Sequence, residues 1–155
     1  IERAGYEGAD APRLVLDLGV ERPLIALGVE ARLGQVFRNV IQNALSFSPP
    51  RGRIDVRARK VGDLVRVTID DEGPGIPEGK LDAVFERFYS DRPQDKAAKF
   101  GVHSGLGLSI SRQIVQASGG RIFAENRKDG VGRVDGARFT VELKTAELKS
   151  ARPQR

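Results

Sequence analysis

The chain has no cysteine and a single histidine among its 155 residues. Without thiols there are no disulfides and no thiolate metal sites, and one imidazole cannot build a His/Cys metal centre. Any divalent ion must therefore be held by oxygen ligands. No run of about 18 apolar residues occurs, so nothing here is suited to span a membrane as a helix. A signal peptide is not visible, and the first residues read as a cut point. Aromatic residues make up only 6% of the chain and do not interleave with the basic ones, as a surface for single-stranded nucleic acid requires. The net charge of +5 therefore reads as solvated strand faces, in Arg51-Gly52-Arg53 and Arg57-Ala58-Arg59-Lys60. Nucleic-acid binding driven by charge alone ranks last among the functions considered.

What is present suits one soluble domain with a real core: 39% hydrophobic and 30% charged residues, without internal repeats. Residues 1–12 are polar and read as a ragged start. Alternation predicts strands at 13–18 and, more briefly, at 24–28. From 30 to 47 the period becomes helical, with Leu33, Val36, Phe37, Val40, Ile41 and Ala44 on one face. Ser48-Pro49-Pro50 ends that helix. Residues 53–59 and 64–70 alternate strictly and make a hairpin with one apolar and one basic, wet face. A short helix is expected over 77–82, followed by Phe85 and Phe88, whose spacing lets both face the core. Residues 90–104 are polar and long for a loop in a compact domain, which predicts a functional lid. A second amphipathic helix starts at Gly105-Leu106-Gly107-Leu108 and stops at Ser118-Gly119-Gly120. Strands follow at 121–125 and 137–143, and residues 145–155 are expected to fray. Adjacent hairpins imply a mixed, largely antiparallel sheet covered on one face by helices, an α/β two-layer sandwich.

Three stretches carry chemistry. Asp70-Asp71-Glu72-Gly73-Pro74-Gly75-Ile76 lies at a strand exit, where the glycines force a turn and bare the backbone. A carboxylate there can accept from an amino group on a flat ligand; an ordinary acidic Gly-Pro turn is the alternative. Asn39 and Asn43 are four apart, on one helical face. An Asn carbonyl can ligate a hard cation and its amide can donate to phosphate, although a polar helix edge has the same pattern. Glycines opening a helix let phosphate oxygens reach free N–H groups at the positive end of the dipole, or they serve close packing.

Together these stretches resemble the boxes of the catalytic ATP-binding domain of sensor histidine kinases, in the GHKL ATPase superfamily with its Bergerat fold. Residues 35–44 resemble its N box, 71–76 its G1 box, Phe85-Glu86-Arg87-Phe88 its F box and Gly105-Leu106-Gly107-Leu108 the core of its G2 box. The wording of 103–114 is most similar to the ChvG-type branch. The resemblance covers about 13–143 and implies one ATP-binding domain over 13–144. It implies ATP and Mg²⁺ as cofactors, with Asn43 ligating the metal and Asn39 polar to the same catalytic site. Asp71 would accept from the adenine amino group, Gly73 and Gly75 would admit the base and a bridging water, and Phe47 and Ile76 would wall the pocket. Phe85 and Phe88 would anchor the lid. Ser104, Gly105 and Gly107 would bind phosphates, with Leu106 and Leu108 packed behind.

The activity implied is transfer of the γ-phosphate to a histidine on a separate dimerisation domain of the same kinase, with a response regulator downstream. The family would place this piece in the cytoplasmic portion of an inner-membrane sensor, without membrane contact of its own and monomeric when isolated. No acceptor hairpin is visible, and His103 adjoins the lid glycines. Two departures stand out: Ser46 where many relatives carry Lys or Arg, and His103 where a glycine is common. Arg92, Lys96 and Lys99 are candidate replacements for the missing cation. Two rival functions remain. A hydrolytic GHKL ATPase needs a glutamate one turn before Asn43, where this chain has Asn39. A nucleotide-binding regulatory domain that has lost transfer would bind ATP without phosphorylating a partner.

Overall fold

A computed structural model describes residues 8–20, 24–89 and 106–146. The expected lid at 90–104, with Ser104, Gly105 and His103, lies outside the described residues. The described elements are β1 (Arg13–Asp17), α1 (Glu30–Phe47), β2 (Arg53–Val61), β3 (Leu64–Asp70), α2 (Gly107–Ala117), β4 (Arg121–Lys128) and β5 (Val134–Lys144), with single 3-10 turns at Gly8–Asp10 and Ala83–Phe85. The strands form one five-stranded sheet in the order β1-β2-β3-β5-β4. Only the β1–β2 pair is parallel. The expected two-layer, mostly antiparallel sandwich is what the chain forms.

The period-2 pattern explains which face is covered. Ile54, Val56 and Ala58 on β2, Val65, Val67 and Ile69 on β3, and Phe139, Val141 and Leu143 on β5 are all buried, and they meet Val36, Val40 and Ala44 of α1 and Ile114 and Val115 of α2. Alternate residues point to the other face, where charges pair across the ladder. Arg138 holds Asp70 through two bonds of 2.6 and 2.7 Å, and Arg66 holds Glu142 at 2.9 Å. At the sheet edge Arg59 bonds Asp17 and holds its carboxyl below the usual range.

Three sequence expectations are corrected. The strand expected at 24–28 reduces to one bridge, Ala26 to Thr145. The reason is that β3 and β4 already occupy both edges of β5, so this segment finds free backbone only at the strand's end, where Leu27 N–H reaches Lys144 O at 2.8 Å. The helix expected at 77–82 is replaced by turns, because Gly79 sits at φ +79, a conformation foreign to a right-handed helix. Helical structure is confined to the 3-10 turn that follows, and at Glu86 the chain is already extended. Phe88 therefore does not repeat the direction of Phe85: it is 72% exposed, whereas Phe85 is buried edge-on against Phe139 at 5.9 Å. Parts of both margins, 8–12 and 145–146, are among the described residues. Arg51 bonds Asp10 through backbone and side chain, and Thr145 and Ala146 donate to Asp63 O and Ile25 O.

Candidate functional site

The inward-facing row of β3 runs Val65, Val67, Ile69 and then Asp71, one residue past the strand. A carboxylate thus takes the position where the next core side chain would sit. Asp71 is 2% exposed. Its Oδ1 accepts from Gly73 N–H at 2.9 Å and Ala137 N–H at 3.1 Å, and its own N–H donates to Ala137 O at 3.0 Å. Among the described residues Oδ2 receives no hydrogen bond, so one oxygen is fixed and the other is available. Burial pushes the Asp71 carboxyl above its ordinary pKa, and the two backbone donors act against that rise.

The turn after Asp71 is gripped on several sides. A Cβ at Gly73 would stand 2.8 Å from Phe47 O, so a glycine lets the turn lie against the end of α1. Gly75 has φ +78, and a Cβ there would collide with Val134. Gly136 is pressed against the Asp71 carbonyl, which leaves no room for any side chain on β5 at that point. Arg127 donates to the same carbonyl at 2.7 Å. Asn126 bonds both backbone groups of Ile76, each at 2.7 Å. Sequence reasoning missed Asn126, Arg127, Gly136 and Ala137. One signal existed: Asn126 continues the inward row Ile122, Ala124 with an amide, a polar residue where the alternation calls for an apolar one.

On α1, Asn39, Asn43 and Phe47 fall four apart and form a row about 12 Å long at 1.5 Å per residue. Phe47 touches the Asp71 turn. At the other end, Asn39 Nδ2 donates to Gly107 O at 3.2 Å and Ser111 Oγ at 3.3 Å, tying α1 to the first turn of α2. Asn43 lies between them, half-buried, and its side chain makes no hydrogen bond among the described residues. Gly107 is packed against Asn39, and Leu108 against the core. Arg112 of α2 lies over the Phe85 ring at 5.6 Å. The structure therefore brings together Asn39, Asn43, Phe47, Asp71, Gly73, Gly75, Ile76, Gly107 and Leu108; half-buried Leu106 caps α2 beside them. Phe88 stays outside this group. Ser104 and Gly105 lie outside the described residues. The arrangement places a buried carboxylate at one end of the α1 row and the first residues of α2 at the other.

Residues 28–147 match the family model described as Histidine kinase-, DNA gyrase B-, and HSP90-like ATPase. The chain belongs to this ATPase family. It is 48% identical over 130 residues to Sensor protein ChvG of Agrobacterium fabrum, covering 83% of this chain and 22% of that protein. It is 46% identical over 137 residues to Sensor protein ChvG of Rhizobium meliloti, covering 84% and 23%. The chain thus spans under a quarter of these curated relatives. Among solved structures, a mycobacterial sensor histidine kinase MprB matches with a TM-score of 0.74 and 29% identity, covering 89% of this chain and 85% of that one. The catalytic domain of histidine kinase ThkA matches with a TM-score of 0.71 and 29% identity, covering 87% and 80%. This is an ATP-binding catalytic domain of the histidine-kinase type. Among the described residues no helix is long and apolar enough to cross a membrane.

Proposed function

We propose that the domain binds Mg·ATP along these residues and hands the γ-phosphate to a histidine on a separate dimerisation domain of the same kinase, from which a response regulator would take it. The observation that carries the reading is the Asp71 carboxylate, buried, fixed through Oδ1 and available at Oδ2. Oδ2 would accept from the adenine amino group, with Phe47 and Ile76 walling the base and Gly73 and Gly75 leaving room beside it. The phosphates would run along the α1 row to the start of α2, where Gly107 lies and where Ser104 and Gly105 are expected to contribute. Free N–H groups and the helix dipole favour negative charge there.

The donor set fits Mg²⁺. No cluster of three His, Asp or Glu side chains occurs among the described residues, and Mg²⁺ in nucleotide sites takes one or two protein oxygens with phosphates and water. The Asn43 amide oxygen would supply such a ligand. When bound, the ion neutralises developing phosphate charge. The chain's own residues have the tasks of placing the base and aligning the tail. No strong base is required of them, because a neutral imidazole is already nucleophilic. A hydrolytic ATPase is disfavoured at Asn39: a carboxamide stands where water activation needs a carboxylate, and its Nδ2 is committed to α2. The relative ThkA has been solved in complex with response regulator protein TrrA, which supports the downstream partner.

Calorimetry with ATP, with and without Mg²⁺, tests the binding. Asn43→Ala should remove chiefly the Mg²⁺-dependent part of the affinity; equal loss in both conditions would count against the metal role. Adding the cognate helical domain tests transfer. ATP binding without phosphorylation of that domain would favour the regulatory alternative, and steady hydrolysis without it would favour the ATPase.

A further inference from the structure

We propose that Asn126 is a positioning residue that sets the far wall of the base pocket, and with it the preference for adenine. The inference rests on the adenine reading of Asp71 and extends it to a residue on another strand. Asn126 and Ala137 are directly paired across β4 and β5. Ala137 clamps Asp71 through both its N–H and its C=O. Asn126 clamps Ile76 in the same two-point manner: its Oδ1 accepts from Ile76 N–H and its Nδ2 donates to Ile76 O, each at 2.7 Å. One rung of the sheet therefore fixes both ends of the turn from residue 71 to residue 76.

The grip is on main chain, so it holds the path of the turn, and the Ile76 side chain follows from that path. Asn126 also lies directly against the turn at Gly75. Asn126 Oδ1 would lie 2.7 Å from any Cβ at Gly75, with Val134 closing the other side. The ladder shifts register immediately after, between Arg127 and Lys128. Such a bulge bends the strand and re-aims its side chains, as is common beside functional sites. A carboxamide suits the task because it presents a donor and an acceptor side by side, matching a backbone N–H and C=O. Neither Asp nor Leu, similar in size, can do both at neutral pH.

The test compares affinities of the wild-type chain and Asn126→Ala for ATP, GTP and inorganic tripolyphosphate, each with Mg²⁺. The variant should bind ATP about tenfold more weakly, the worth of roughly one net hydrogen bond, while its tripolyphosphate affinity stays within about twofold. The ATP-to-GTP preference should shrink by a similar factor. Asn126→Asp, isosteric and able to keep the bond from Ile76 N–H but not the donor to Ile76 O, should likewise shrink the ATP-to-GTP preference; it serves as the test if the alanine variant does not fold. An unchanged ATP-to-GTP ratio, or equal losses for ATP and tripolyphosphate, would reduce Asn126 to a structural residue and overturn the proposal. A wild-type chain that does not prefer ATP over GTP fails differently: it removes the adenine reading underneath.

Discussion

The two ends of the candidate site are held by different elements. At the end proposed for the base, Asp71, Gly75 and Ile76 are held by Ala137, Asn126, Arg127 and the packed Gly136, all contributed by β4 and β5, while Gly73 bonds Asp71 and lies against the end of α1. At the other end, the described contacts are fewer. Asn39 bonds the first turn of α2 at 3.2 and 3.3 Å, and the Asn43 side chain makes no described hydrogen bond. One end is held by strand pairing; the other is a meeting of two helix segments, tied among the described residues by Asn39. A base can be recognised only by donors and acceptors held in place beforehand, whereas a charged tail is attracted by field and free N–H groups, which tolerate looser geometry.

The largest expected effect comes from a residue that serves both ends. Phe85 touches Phe139, on the strand that carries Ala137, and lies under Arg112 of α2. Phe85→Ala should lower stability by about 3–5 kcal/mol, measured by chemical denaturation. A much smaller loss would mean the two ends do not share one core. Next comes Asp71→Asn, which breaks the base end alone. ATP binding should weaken by about 1–3 kcal/mol in calorimetry, because an amide turned toward Oδ2's position offers a donor to a donor. The apo domain should keep or raise its melting temperature at pH 7, since a desolvated charge is removed while Oδ1 still accepts. ATP binding left at the wild-type level would misplace the adenine.

How far the sequence could be read follows the same division. One-sided burial writes itself as alternation, so β2, β3 and β5 were legible, as were both helices from their 3.6-residue period. What failed was the part decided elsewhere in the chain. The 24–28 run alternates well enough, but only the sheet's order reveals that both edges of β5 are taken. Phe88 follows Phe85 at a helical spacing, yet Gly79 and the extended Glu86 leave no helix to continue it. In the site, Asp71 and its glycines, Asn39 and Asn43 are local words. Ala137 and Asn126 act through register, which no single stretch contains.

A smaller effect tests the helix end. Asn39→Ala removes one donor shared between Gly107 O and Ser111 Oγ, both at long distances. The expected loss of stability is about 0.5–1.5 kcal/mol. Loss of ATP affinity with unchanged stability would instead assign Asn39 directly to the ligand.

The subtlest effect is in pH. Burial raises the Asp71 carboxyl above its unfolded value, so the folded domain holds this proton at pH values where the unfolded chain has released it. The contribution of Asp71 to stability is therefore greatest in acid, below the unfolded value, and is lost as pH rises through the folded one. Most of the described carboxylates are exposed or paired and need not follow that sign. The quantity to measure is thus the stability difference between wild type and Asp71→Asn, which should shift against the wild type as pH rises across that window. ATP affinity should move the opposite way and fall on acidification, because a proton on Oδ2 turns the acceptor into a donor. The amino group of a bound base would stabilise the carboxylate, so saturation with ATP should flatten the stability difference. A difference that is flat without nucleotide would mean that the two backbone donors on Oδ1 fully offset burial, and that the base end is electrostatically relaxed before the ligand arrives.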